Sequence, residues 1–216
     1  MPDARPVVKV LLAARHPVVQ RGLKEIVTDV WPFLTVALAR DGFETLDLIR
    51  KQTWNLVVLD VAIHGGHGLE VLKDIKRERP NLPVVVLSLH AEEQFAVRAM
   101  RAGASAYLMH DTAADDIVAA VRSALGGRKY VTRSVAEQLA VAVDAGAREV
   151  PHEALSDREY SVFRMIAAGV SVREIAAELS LSVKTISTYR TRILIKLGVR
   201  TNAELMRYAI RRGLVT

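Results

Sequence analysis

Between Lys184 and Lys196 the chain sets hydroxyls and cations at helical spacing. Lys184, Ser187, Thr188 and Thr191 fall on one stripe, flanked by Tyr189, Arg190, Arg192 and Lys196. Val183, Ile186, Ile193 and Leu197 fall on the opposite, apolar side. A helix that packs by one face and offers hydroxyls and cations on the other suits a DNA major groove. Ser187, Thr188 and Thr191, at i, i+1 and i+4, are expected at base edges. Lys184, Thr185, Tyr189, Arg192 and Lys196 are expected to hold phosphates. A second group of residues able to do chemistry lies in the first half of the chain. His16, His64, His67, His90 and His110 all fall at or near the carboxyl ends of expected strands. Histidine clusters can bind zinc or titrate near neutrality. Their spacing matches no ligand motif, so no metal is expected, and a pH-sensitive polar pocket is the better of those two readings.

The elements that must position these residues are legible. Ser156 to Glu159 and Ser171 to Glu174 are Ser-x-x-Glu capping boxes, each opening a short helix. Val162, Phe163 and Ile166 give the first an apolar face, and Gly169 ends it. Val172, Ile175, Ala176 and Leu179 give the second its face. Ser180-Leu181-Ser182 is a tight connection, and Ser182 can cap the third helix. Asn202 is a plausible cap for a fourth, with Leu205, Ala209 and Tyr208 toward one side. Upstream, strand and helix signals alternate five times: strands at 7–12, 33–39, 54–59, 83–88 and 105–109, helices at 17–30, 42–52, 68–79, 91–102 and 112–125, the last capped by Thr112. That pattern predicts an α/β fold, a five-stranded parallel sheet doubly wound by helices in the flavodoxin-like manner. Gly126-Gly127 breaks the last helix, an Ala- and Val-rich helix is expected over 132–145, and Gly146 and Pro151 mark a flexible segment. The expected domains are 1–125, a linker with a helix over 126–153, and an all-α four-helix domain over 154–216.

Composition narrows the function. The formal charge of +6 is unevenly spread: residues 1–124 hold 15 Lys and Arg against 15 Asp and Glu, whereas residues 150–216 hold 11 against 6, a net +5. The excess coincides with the suspected groove-binding helix, which argues against a merely solvated basic surface. The absence of cysteine excludes a disulfide framework, a thiol nucleophile and a cysteine zinc finger. There is neither a membrane-length apolar run nor a signal peptide pattern, so a cytoplasmic protein without membrane association is expected.

With these motifs in view, the chain resembles a response regulator of the NarL/FixJ type, a receiver followed by a LuxR-type helix-turn-helix. The second half carries Leu155-Ser156-x-Arg158-Glu159, Ile175-Ala176, Ser182-Val183-Lys184-Thr185-Ile186 and Lys196-Leu197-Gly198-Val199. The first half carries Val10-Leu11-Leu12-Ala13, His16-Pro17, Asp60, Gly68-Leu69-Glu70-Val71-Leu72, Leu87-Ser88 and Gly103-Ala104. The resemblance implies that Asp60 stands where the family accepts a phosphoryl group. It implies that Ser88 would bind phosphate oxygen, that Tyr107 is the switch aromatic, and that double-stranded DNA is the ligand. It also implies a homodimer paired through the last helix, for which Leu205, Tyr208 and Ala209 are the candidates, with a sensor kinase or another regulator as a further partner. The alternative is that this helix only closes the four-helix core, and a mixture is expected in which Leu205 packs inward while part of the helix meets the partner.

Several residues depart from the family pattern. Ala14 and Arg15 replace its two acidic magnesium ligands, His110 stands for its lysine, and Ile63-His64 for Met-Pro. Magnesium requires hard oxygen ligands in near-octahedral geometry, which one carboxylate does not supply. Phosphoryl transfer needs positioning and charge neutralisation that such a pocket lacks. A degenerate pocket of Ala14, Arg15, Ser88, Tyr107 and His110 around an unphosphorylated Asp60 is therefore expected, with Arg15 pairing to Asp60. In that case Ser88 caps a turn as readily as it binds phosphate, and Tyr107 is an ordinary strand tyrosine. The leading reading is a transcription regulator that acts without phosphorylation of Asp60, with no cofactor and no catalytic residue. The alternatives are a kinase-controlled regulator using Asp60, and a cofactor-binding or catalytic flavodoxin-like protein. The last lacks a glycine-rich phosphate loop and a nucleophile–base pair.

Overall fold

The computed structural model describes residues 8–31, 33–63, 68–88, 93–133, 135–137, 140, 151–179 and 181–215. His64, His67, His90 and most of the expected linker helix lie outside them. The chain divides into two compact units, Met1–Asp144 and Ala145–Thr216.

The first unit is the expected doubly wound sheet. Strands β1 (Lys9–Ala13), β2 (Thr35–Ala39), β3 (Leu56–Asp60), β4 (Val84–Ser88) and β5 (Ala106–Met109) alternate with helices α1 (Pro17–Val30), α2 (Gly42–Lys51), α3 (Gly68–Glu78), α4 (Glu93–Arg101) and α5 (Ala114–Leu125). The strand order is β2-β1-β3-β4-β5, and every pairing is parallel. β3 and β4 are buried at every position because helices cover both faces of the sheet. Val10, Leu12, Leu56, Val58, Val85, Leu87 and Leu108 pack with Leu23 and Val27 of α1 and Ile117 and Val121 of α5. The intervening strand residues face the other layer.

The chain leaves β1 toward β2 on one side and returns to β3 on the other. The carboxyl ends of β1 and β3 thus form the switch point where such sheets open a crevice. Gly68 closes the loop beside it: a Cβ there would lie 2.5 Å from Val61 Cα, so only glycine permits the approach. Thr112 does not cap α5. Its hydroxyl accepts from the Met109 N–H at 3.0 Å, and α5 begins at Ala114 after an N-cap Ala113 whose side chain makes no cap bond.

The second unit holds a 3-10 turn (Pro151–Ala154) and helices α6 (Asp157–Ala167), α7 (Val172–Glu178), α8 (Val183–Leu197) and α9 (Asn202–Arg211). Both capping boxes form as expected. α8 packs by Ile186, Ile193, Leu194 and Leu197, and Val183 is exposed rather than part of that face. Gly198 ends α8 in the left-handed region at φ 67°, a conformation that favours glycine. α9 is capped by the Thr201 hydroxyl, which accepts from the Glu204 N–H at 3.2 Å. Asn202, expected as the cap, is instead the first helical residue.

Candidate functional site

The solvent-facing side of α8 follows from how the helix is seated. Ile186 and Ile193 are wholly buried, which turns Lys184, Ser187, Thr188 and Thr191 to solvent. The Ser182 hydroxyl accepts from the Thr185 N–H at 3.0 Å and fixes where the helix starts. Arg190 Nε donates to Asn202 Oδ1 at 2.6 Å, bracing α8 against α9. Each hydroxyl on the exposed stripe donates to the carbonyl one turn back: Ser187 to Val183 at 2.8 Å, Thr188 to Lys184 at 3.0 Å and Thr191 to Ser187 at 3.1 Å. Arg192 is exposed, and Thr185 and Tyr189 are half-buried at the margin. Ile195 continues the stripe and is 73% exposed.

The second constellation sits at the sheet's carboxyl edge. Asp60 ends β3 with its side chain fully buried. Its Oδ1 accepts from the Ala62 N–H at 2.9 Å and lies 3.3 Å from His110 Nε2, at an angle that misses a hydrogen bond. Among the described residues, Asp60 Oδ2 has no hydrogen-bond partner. His110 is carried there by β5, and its N–H donates to the Ser88 carbonyl at 2.8 Å. Ser88 and Tyr107 are both buried, and their side chains are hydrogen-bonded to each other. Burial pushes the Tyr107 phenol up to about 12, with the Ser88 bond opposing that rise. Ala14 is buried, and its carbonyl accepts from Gln20 Nε2 at 2.7 Å. The same amide donates to the Ala39 carbonyl at 3.0 Å. Gln20 thus pins the β1 and β2 ends together. A polar residue on the inner face of α1 was the only sequence signal for that role.

Two family models match. The response regulator receiver domain covers residues 10–122, and the bacterial regulatory proteins of the luxR family cover residues 153–209. The chain is a LuxR-type response regulator. It is 33% identical over 208 residues to the response regulator UvrY of Escherichia coli K12, covering 96% of this chain and 95% of that one. It is 34% identical over 209 residues to the response regulator GacA of Pseudomonas aeruginosa, covering 96% and 98%. Among solved structures, the two-component response regulator RcsB in a DNA complex matches at 25% identity with a TM-score of 0.58, covering 94% and 97%. RcsB from Salmonella enterica serovar Typhimurium, bound to promoter rprA with phosphomimetic BeF3-, matches at 25% with a TM-score of 0.62, covering 94% and 98%.

Within this response regulator, three expectations are corrected. Arg15 does not pair with Asp60. It is exposed at the start of the β1–α1 loop, and His110 is the side-chain neighbour of the carboxylate instead. Lys196, expected to hold phosphate, is engaged inside the helical unit: its ammonium donates to Glu159 Oε2 at 2.6 Å and to the Ala154 carbonyl at 3.1 Å. Of the candidate dimer residues of α9, Leu205 packs inward as the mixed reading expects, and Ala209 and Tyr208 also engage their own core. Leu205 and Ala209 are fully buried. The Tyr208 hydroxyl is hydrogen-bonded with His152 Nδ1 at 2.7 Å, and its ring meets Phe163 edge-on. The solvent face of α9 is Ala203, Arg207 and Ile210 instead, the last 63% exposed. Among the described residues, no helix is long and apolar enough to cross a membrane.

Proposed function

We propose that this regulator is a cytoplasmic, sequence-specific transcription factor. It binds double-stranded DNA as a homodimer through α8, and its receiver acts without phosphorylation of Asp60. The division into a receiver over 1–125, a linker over 126–153 and a DNA-binding domain over 154–216 belongs to the same reading. The DNA complexes of RcsB support the ligand, and the exposed stripe of α8 supports the contact surface.

The observation that carries phosphorylation-independence is the donor set at the carboxyl edge. Magnesium needs several hard oxygens at near-octahedral positions. Asp60 offers one carboxylate there, with His110 against one of its oxygens. Ala14 offers a methyl group and a carbonyl already accepting from Gln20, and Arg15 brings positive charge. These residues do not fit the ion. The competing reading, control through Asp60, draws on the placement of that carboxylate at the end of β3 and on the buried Tyr107–Ser88 pair.

Incubation with acetyl phosphate and magnesium, followed by phosphate-affinity electrophoresis, separates the two. The expected result is no phosphoprotein, together with wild-type DNA affinity for Asp60→Asn. A stable, magnesium-dependent phosphoprotein that Asp60→Asn abolishes overturns it.

A further inference from the structure

On the reading that α8 enters the major groove, we infer that Ser187, Thr188 and Thr191 form an acceptor-and-methyl surface that selects A·T pairs and cannot read guanine. The inference starts from where three protons go. Each hydroxyl hydrogen is committed to the carbonyl one turn back, at 2.8, 3.0 and 3.1 Å. A hydroxyl carries one donor and two acceptor lone pairs, so what these three oxygens offer outward is acceptor capacity. The two threonines add a methyl group each, on exposed residues.

The groove side supplies the complement. Guanine presents N7 and O6, both acceptors, and is read by Arg or Lys donating to them. None of the three central positions carries such a donor. Adenine presents an N6 amino donor and its partner thymine a C5-methyl, so one A·T pair matches both properties of the surface. Cytosine also offers an amino donor, but a C·G pair carries no methyl group, so only an A·T pair offers both.

Lys184 lies on the same stripe one turn before the triad, Arg192 flanks the stripe, Arg190 is held by Asn202 and Lys196 by Glu159. At the three positions of the triad itself, base selectivity falls to hydroxyls and methyls. Ile195 lies about 10 Å along the helix from Thr188, at about 1.5 Å per residue. The bases are met by the earlier turns of a recognition helix.

The test selects binding sites from a random duplex pool with the full chain. Affinity is then measured on the recovered sites and on copies in which single thymines are replaced by uracil, which removes only the methyl group. Recovered half-sites should place A·T pairs under the triad. Uracil at one or two of those positions should weaken the wild type by about three- to tenfold, the scale of one lost groove contact. Thr188→Ser or Thr191→Ser, which keeps the acceptor and drops the methyl, should lose that uracil sensitivity. Thr188→Val, which keeps the methyl and drops the acceptor, should retain uracil sensitivity and lose discrimination for the adenine amino group. Half-sites centred on invariant G·C pairs, or wild-type binding indifferent to uracil throughout, would overturn the inference while leaving DNA binding intact. Absence of salt-dependent binding to any duplex is a different result: it overturns the DNA-binding reading itself.

Discussion

The ammonium of Lys196 reaches Glu159 and the Ala154 carbonyl, so two of its three donors are used within the helical unit. Glu159 is buried, and burial alone would raise its carboxyl. Bonds from Lys196 and from the Ser156 N–H and hydroxyl outweigh that effect and hold it below the ordinary carboxylate range. A depressed folded value contributes stability that is present above the unfolded value and lost as pH falls through the folded one. Acid titration should therefore loosen the helical unit through protonation of Glu159. Lys196→Ala leaves a buried carboxylate with one partner fewer. It should cost about 2 kcal/mol at neutral pH, less than a wholly buried pair would because Lys196 is 38% exposed. Thermal unfolding of wild type and Lys196→Ala from neutral to acid pH checks both, and the difference between them should shrink as Glu159 protonates. Wild-type stability with lost DNA affinity would return Lys196 to the phosphate contacts. Sequence showed Lys196 as a cation beside a basic stripe. It could not show the partner, because Glu159 is 37 residues away and also serves the capping box.

At the scale of elements, what was legible in the sequence was local. Both capping boxes, the start of α1 at Pro17, the buried run of β3 and the stop of α6 near Gly169 depend on residues within a turn of one another. The parallel order followed because strands alternating with helices leave few ways to cover a sheet. What the sequence left open was the assignment of apolar faces to partners. The pattern of α9 shows that Leu205 and Ala209 share a side, but an amphipathic period does not say whether that side meets its own core or a second subunit. The switch-point carboxylate posed the same difficulty. Arg15 and His110 both lie far from Asp60 in sequence, at the ends of other strands, so spacing alone does not choose between them. For α9 the two faces now give opposite expectations. Leu205→Ala should cost about 3 kcal/mol by opening a cavity in the helical core. Ile210→Asp, on the solvent face, should leave stability within about 0.5 kcal/mol and weaken paired occupancy of two half-sites. Denaturant melts and two-site binding isotherms measure the two effects. Equal destabilisation by both substitutions would mean that Ile210 belongs to the fold rather than to an interface.

For the whole molecule the question is what sets the assembled state. A single recognition helix reads only a few base pairs, so useful specificity requires two copies on half-sites about one helical turn apart. In a regulator gated by phosphorylation, the modification would provide the free energy that favours the paired form, and a ligand can shift such an equilibrium only by its differential affinity for the two states. On the proposed reading that lever is weak around Asp60, which has His110 beside it while Ala14 and Arg15 stand where the family has acidic residues. Self-association should then be an intrinsic property of the unmodified chain. Sedimentation equilibrium at tens of micromolar should show a monomer–dimer distribution that acetyl phosphate and magnesium leave unchanged. The DNA isotherm should likewise keep its midpoint and steepness with and without the phosphodonor. The net charge of +5 over residues 150–216, against zero over residues 1–124, assigns the salt dependence of that isotherm to the helical units. Two copies binding together should therefore double the counterion release of one. A strict monomer both free and on DNA, or a dimer that forms only with the phosphodonor, would place control back at Asp60.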